Sequence, residues 1–368
     1  MARPSRRLRA FLRRTRAAVL LATVGIAFIA TWPNMGGVPS RMNASLLDDA
    51  SARRELTRTL VTTPFTDALA RWQRQANWLV LRDLGPEVKR GEDNWLFLDE
   101  ELRVHRDRTA HAAVRAKAVS DIARALADRH IALLVVVVPD KSRTESAHLG
   151  ALRRPNELDA RVRDWTAKLQ GSGVEALDLS PVLAAASPSP FLRTDTHWSE
   201  HGSWLAAHAV AERLQGMHAL DGAPVPSVVV SRQRHAAWGD LVHLAGIDGL
   251  PASLRPAPDT DTQSVVETRN DSTDLFGAAA VPSTMLIGTS FSRRGNFLPF
   301  LQLAGRALVA DFAVDGGDFA GAAQRYFASE AFVKNPPRSI VWEVPERAIE
   351  APVGDTEARW LRQPSIPR

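Results

Sequence analysis

Cysteine is missing from the chain altogether, which excludes a disulfide framework and thiolate chemistry. That is compatible with an exported enzyme without requiring one. A basic surplus is missing too, once the first residues are set aside. Residues 1–16 carry seven Arg and no acid, and without those seven the chain sets 39 basic against 41 acidic residues, a net of about −2 before histidine is counted. The high isoelectric point therefore belongs to the leader and gives no argument for nucleic acid. Tyrosine occurs once against ten Trp, so the tryptophans either pack a core or line a saccharide groove. Internal repeats and low-complexity tracts are absent, which excludes solenoid arrays.

Apolar runs of spanning length are scarce as well. Residues 17–32 are uncharged and dominated by Ala, Val, Leu and Ile. At sixteen residues the run is short against the ~20 of a typical membrane span. A basic segment before an apolar core reads as a signal peptide or signal anchor. No clean small-x-small cleavage site follows, so an uncleaved anchor over 1–33 is the expectation, with a cleaved signal or a buried core helix as alternatives. The positive-inside rule then puts everything after residue 33 outside the cytoplasm.

What is present reads as an α/β protein. Residues 34–85 mix Arg, Asp, Trp and Leu at helical spacing, a helical lead-in with one strand-like run at Trp78-Leu79-Val80-Leu81. Gly91 opens a turn into the short strand 95–98. Residues 111–129 have three-to-four apolar spacing, an amphipathic helix. Residues 131–138 are continuously apolar and rich in Val, the pattern of a parallel strand buried on both faces. A helix at 156–169, a strand at 174–179 and a helix at 200–214 continue the rhythm. Residues 224–282 read as an insertion or elaborated loop region in which Trp238-Gly239-Asp240-Leu241 stands out. Strands follow at 283–287, 307–312 and 339–344, with a helix at 319–332.

The chain is organised around Thr194-Asp195-Thr196-His197-Trp198. Residues i and i+2 do not face each other on a helix, so this Asp and His belong to a loop that runs into the helix capped by Ser199. A carboxylate beside an imidazole fixes its tautomer and stabilises the imidazolium, which makes His197 a base and Asp195 its orienter. Ser290, in Gly288-Thr289-Ser290-Phe291-Ser292 at a strand end, supplies the missing hydroxyl. On its own the Gly-x-Ser pattern reads equally as a strand-to-helix turn with a capping serine. Ser292 is expected to cap the next helix or line the site. Asp195, His197 and His201 also make a zinc reading available, but Ser290 would then have no role. The expectation is therefore no metal, with His201 a capping or surface residue.

Asp195-Thr196-His197-Trp198, Gly288-Thr289-Ser290-Phe291-Ser292, Asn94-Trp95-Leu96-Phe97-Leu98 and Trp342-Glu343-Val344-Pro345-Glu346-Arg347 together resemble the alginate O-acetyltransferases of the AlgJ/AlgX type, over residues 85–350. The resemblance implies an SGNH-hydrolase-like parallel sheet flanked by helices. It is circularly permuted, because the acid and base precede the serine. It implies Ser290 as nucleophile, His197 as base and Asp195 as orienter. The oxyanion donors would be Ser290 N–H with Lys141, Arg293 or Asn296 as further candidates. It also implies an exopolysaccharide acceptor and acetyl groups supplied by a polytopic membrane acyltransferase, with no metal or nucleotide cofactor. On this reading the chain divides into an anchor (1–33), a helical lead-in (34–85), the acetyltransferase domain (86–350) and a C-terminal tail (351–368). It sits in the periplasm, tethered to the inner membrane. A polysaccharide acetyl esterase and a non-catalytic polysaccharide-binding assembly protein are the alternatives.

Overall fold

The computed structural model describes residues 64–220, 225–268, 282–364 and 366. The leader and residues 34–63 of the lead-in lie outside the described residues. Among those described, no helix is long and apolar enough to cross a membrane. The chain divides into two units between Arg82 and Asp83. The described part of the first is the helix Pro64–Leu81. It absorbs Trp78-Leu79-Val80-Leu81, which is its last turn and not a strand. The helix formers Ala68, Leu69, Ala70 and Gln73 carry the backbone through those four residues.

The second unit holds the strands. In chain order these are β1 (Val88–Arg90), β2 (Leu96–Leu98), β3 (Ala132–Val138), β4 (Glu175–Asp178), β5 (Ser227–Ala237) and β6 (Asp259–Thr268). After them come β7 (Thr284–Ile287), β8 (Val309–Asp311) and β9 (Ser339–Pro345). Five form one sheet in the order β4-β3-β9-β7-β8, every pair parallel. The continuous apolar run in β3 follows from burial on both faces. Leu133, Val135 and Val137 enter a core with the helices Arg108–Ala127, Arg161–Gly171 and Gly321–Phe327. Leu134, Val136 and Val138 enter a second core with the helices Glu200–Gly216 and Phe297–Gly305. Each such valine contributes about 1.5–3 kcal/mol of apolar burial.

Elements outside the sheet depart more from expectation. The stretch 319–332 forms two helices, Gly321–Phe327 and Glu330–Lys334, because Ser329 caps the second, its hydroxyl accepting from Phe332 N at 3.3 Å. The helix expected from 156 begins later: Asn156–Leu158 is a single 3₁₀ turn before Arg161–Gly171. Residues 224–282 contain more order than a loop. β5 and β6 pair antiparallel in a long ribbon with a bulge between Val229 and Ser231. Past residue 350, the helix Asp355–Arg362 buries Leu361 and brings Trp360 within 6.4 Å of Trp342.

Because the sheet is parallel, its carboxyl ends share one edge, where loops can converge. β3 runs into Pro139-Asp140-Lys141, β7 into Gly288-Thr289-Ser290 and β9 into Glu346-Arg347.

Candidate active site

Gly288 ends β7 where a side chain has no room: a Cβ there would lie 2.5 Å from Ser292 Oγ and 2.6 Å from Glu343 Oε2. Glu343 is a carboxylate on the central strand β9, 1% exposed. Thr289 N donates to it at 2.6 Å, the Thr289 hydroxyl at 2.9 Å and the Ser292 hydroxyl at 3.0 Å. Burial pushes the Glu343 carboxyl above its usual range, and the donors from Thr289 and Ser292 oppose that rise. Thr289 also caps the short helix Ser290–Arg293, its hydroxyl accepting from Phe291 N at 3.3 Å. Thr289 and Ser292 are thus fastened inward, and Ser290 is left partly exposed at the strand-to-helix turn. Ser292 does not cap the next helix, whose first turn follows Asn296, which corrects that one of its two expected roles; its side chain is buried on Glu343.

The His197 ring bridges the two predicted partners. Nδ1–H donates to Asp195 Oδ1 at 2.7 Å, and Nε2 lies 2.8 Å from Ser290 Oγ. The ring is buried, with the edge of Phe291 at 5.0 Å, and Phe291 in turn meets Trp198 at 5.1 Å. Trp198 stacks on Phe297 and donates Nε1–H to Arg294 O at 3.1 Å. The aromatic residue after each polar partner therefore locks its backbone. Ser199 caps the helix Glu200–Gly216 as expected, accepting from Gly202 N at 3.2 Å. Burial would raise the Asp195 carboxyl, but the hydrogen bond and charge of His197 outweigh it and hold the group at about 2.

Residues 88–346 match the family described as SGNH hydrolase-like domain, acetyltransferase AlgX. The chain belongs to this family. A probable alginate O-acetylase AlgJ of Pseudomonas putida is 32% identical over 288 residues, 76% of this chain and 74% of that protein. The solved O-acetyltransferase domain of Pseudomonas putida AlgJ superposes with a TM-score of 0.67 at 29% identity, covering 76% of this chain and 98% of that one. Pseudomonas aeruginosa AlgX superposes at 0.56 with 25% identity, covering 70% and 62%.

In this SGNH-like chain the loop that carries Asp195 is fastened from three sides. Lys141, buried after β3, donates to Leu96 O at 2.7 Å, Arg193 O at 2.9 Å and Asp195 O at 2.9 Å. Burial depresses its ammonium to about 8. From β6, Asp259 accepts from Arg193 N at 3.0 Å and Thr194 N at 2.8 Å. From the loop after β5, Gly239 N donates to Thr194 Oγ1 at 2.9 Å and Asp240 N to Asp195 Oδ2 at 3.0 Å, while Asp240 Oδ1 accepts from Thr196 N at 2.7 Å. A Cβ on Gly239 would come within 2.4 Å of Asp195 Cβ. Trp238-Gly239-Asp240-Leu241 is thus a clamp on the loop that carries Asp195 and His197.

These contacts correct the donor candidates. Lys141 spends its three hydrogens on backbone carbonyls and has none for an oxyanion. Asn296 spends both amide hydrogens on Glu200 Oε2 at 2.8 Å and Ser264 O at 2.7 Å. Arg293 turns outward, half exposed, toward Asp315 at 3.7 Å. Ser290 N–H is the remaining candidate. Asp240 is the carboxylate that pairwise sequence reasoning missed. Its Oδ2 lies 3.5 Å from His197 Nδ1, and burial and the Asp195 charge raise its carboxyl. The Gly-Asp pair after Trp238 was the available signal. Among the described residues, ligand atoms converge to 4.8 Å at Asp195, His197 and Asp240, and His201 is not one of them. It sits half-buried on the first turn of the next helix. Both carboxylates lie on the Nδ1 side of His197, so a cation held among them would displace the Nδ1 proton that Asp195 accepts.

Proposed function

We propose that this chain transfers acetyl groups to hydroxyls of an alginate-like exopolysaccharide through an acetyl-Ser290 intermediate. The observation that carries the reading is the His197 ring between Asp195 Oδ1 at 2.7 Å and Ser290 Oγ at 2.8 Å, in a family whose relatives are named alginate O-acetylases. Nε2 takes the Ser290 proton as Oγ attacks the acetyl carbonyl, and Asp195 stabilises the imidazolium that forms. Ser290 N–H faces the developing oxyanion. The imidazolium gives its proton to the leaving group, and the acetyl stays on Oγ. A sugar hydroxyl then loses its proton to Nε2 and attacks the ester carbonyl, and Nε2 returns that proton to Ser290 Oγ as the ester bond breaks. Residues acting as one unit lose activity non-additively. Ser290→Ala and His197→Ala should each lower acetyl transfer roughly 10³-fold or more, and the double variant little further. Ser292→Ala should keep most activity. Wild-type transfer by Ser290→Ala sinks the mechanism.

The donor on this reading is a polytopic membrane acyltransferase that brings acetyl across the inner membrane, and this chain works in the periplasm beside it. The seven-arginine leader and the apolar run 17–32 support that placement. The protein should fractionate with membranes at nearly full mass and be digested by protease added to spheroplasts. Protection from that protease would overturn the placement.

A further inference from the structure

We infer that two adjoining depressions at the base of the β5–β6 ribbon form one groove that holds the uronate residues of the acceptor chain flanking the one that is acetylated. This inference rests on the acetyltransferase reading above. The first depression, about 280 Å³, opens at Asp195 and is lined by Trp238, Asn296 and the ribbon residues His235 and Gln263. The second, about 350 Å³, lies over the helix Glu200–Gly216 and is lined by His201, Trp204, Arg232 and Phe300. Glu200 and Thr262 line both, so the two adjoin, and Asp195, the orienting carboxylate of the triad, lines the first. A concave site with an aromatic surface and a few placed polar groups suits a small or extended ligand.

The groove divides by chemistry along its length. At the catalytic end its carboxylates already accept from the protein: Asp259 from Arg193 N, Asp261 from Glu200 N at 2.9 Å, and Glu200 from Ser264 N at 2.7 Å. That end meets a sugar through its neutral hydroxyls, with the sugar's own carboxylate turned away from these acceptors. At the far end the sign reverses. Arg232 is exposed and forms no ion pair among the described residues, and His201 stands beside it in the same depression. Trp204 is 37% exposed, and the ring of His208 lies against it at 4.0 Å, held by an Nδ1–H bond to Trp204 O at 2.8 Å. A pyranose can lie on the indole while the guanidinium takes its carboxylate in a two-point contact. Neither Trp204 nor Arg232 has a role in the core or in the triad. The anionic character of the polymer is thus read one or more sugars away from the acetylated residue.

The test uses the full-length Ser290→Ala protein, titrated calorimetrically with a diuronate, with an oligouronate long enough to span both depressions, and with a neutral gluco-oligosaccharide of that length. Trp204→Ala and Arg232→Gln are then added singly. Arg232 lies on an exposed ribbon face, so its replacement leaves the core untouched. Each should weaken the long oligouronate about tenfold, the size expected for losing one charged or stacking contact, and leave the diuronate as it was. Long-chain affinity unchanged in both variants overturns the groove. So does a neutral chain that binds as tightly as the uronate chain. The two readings fail separately. If the wild-type chain acetylates oligouronates while their binding ignores Trp204 and Arg232, the groove falls and the acetyltransferase reading stands. If binding depends on both residues and no acetyl is transferred, the groove stands and the reading falls.

Discussion

His197 Nδ1 has two carboxylates within reach, Asp195 at 2.7 Å and Asp240 at 3.5 Å, and their environments push them apart. Asp195 is held at about 2 because the ring hydrogen bond outweighs its burial. Its folded value lies below the unfolded value of roughly 4, so its share of stability is complete above that value and is lost as pH falls through about 2. Over the whole neutral range Asp195 stays a carboxylate, and the activity profile should show no step that belongs to it. Asp195→Asn removes the charge and allows the wrong ring tautomer, a change that can cost up to roughly 10⁴-fold. Asp240 offers the ring a fallback acceptor. The single Asn variant should therefore keep measurable transfer, and Asp195→Asn with Asp240→Asn should fall well below it. Thermal melts of wild type and Asp195→Asn between acid and neutral pH check the linkage: the variant should lose less stability at the acid end. Equal activity in the single and double variants would remove Asp240 from the site.

At the scale of elements, the chemistry was more legible in the sequence than its scaffolding. Asp195, His197 and Ser290 were readable because Asp-x-His-Trp and Gly-x-Ser-Phe put titratable groups where only loops can hold them. The sheet was readable because strands such as β3, covered on both faces, are nearly all apolar. The β5–β6 ribbon was not, since most of its residues face solvent and show no apolar alternation. The lysine after β3 stands among the oxyanion-donor candidates because a sequence shows its charge but not the three carbonyls around it. Gly239 shows what the ribbon is for. A methyl group there would sit 2.4 Å from Asp195 Cβ, so Gly239→Ala must push the catalytic loop away from its partners. Displacements of this kind cost about 10²-fold in rate without touching substrate. Gly239→Ala should fold and melt near the wild type while losing transfer on that order. A loss of activity that merely tracks loss of folded protein would leave the clamp without support.

At the scale of the whole molecule, the edge that carries the site rests on buried charge. Arg161, 4% exposed, donates to Asp140 Oδ2 at 3.2 Å and to Glu350 Oε2 at 3.1 Å. Glu346 accepts from Arg143 at 2.7 Å, Arg154 at 2.6 Å and Asp140 N at 3.0 Å. Burial and the charge of Glu346 drive the Asp140 carboxyl well up, and the arginines around Glu346 hold that group down despite its burial. The network binds the ends of β3 and β9 to the helices Arg161–Gly171 and Glu346–Glu350, and Lys141, which holds the Asp195 loop, follows Asp140 directly. Desolvating so many charges brings little net stability, but removing one partner strands the rest. Arg161→Met should therefore destabilise the protein by about 3–5 kcal/mol, read as a lower melting temperature. Well below that temperature it should also transfer acetyl more slowly, because the loosened end of β3 no longer fixes Lys141. Arg161→Lys keeps the charge but not the two-point contact and should fall between. If Arg161→Met melts with the wild type, the edge is held by its apolar cores alone, and the position of the catalytic loop has to come from the ribbon side.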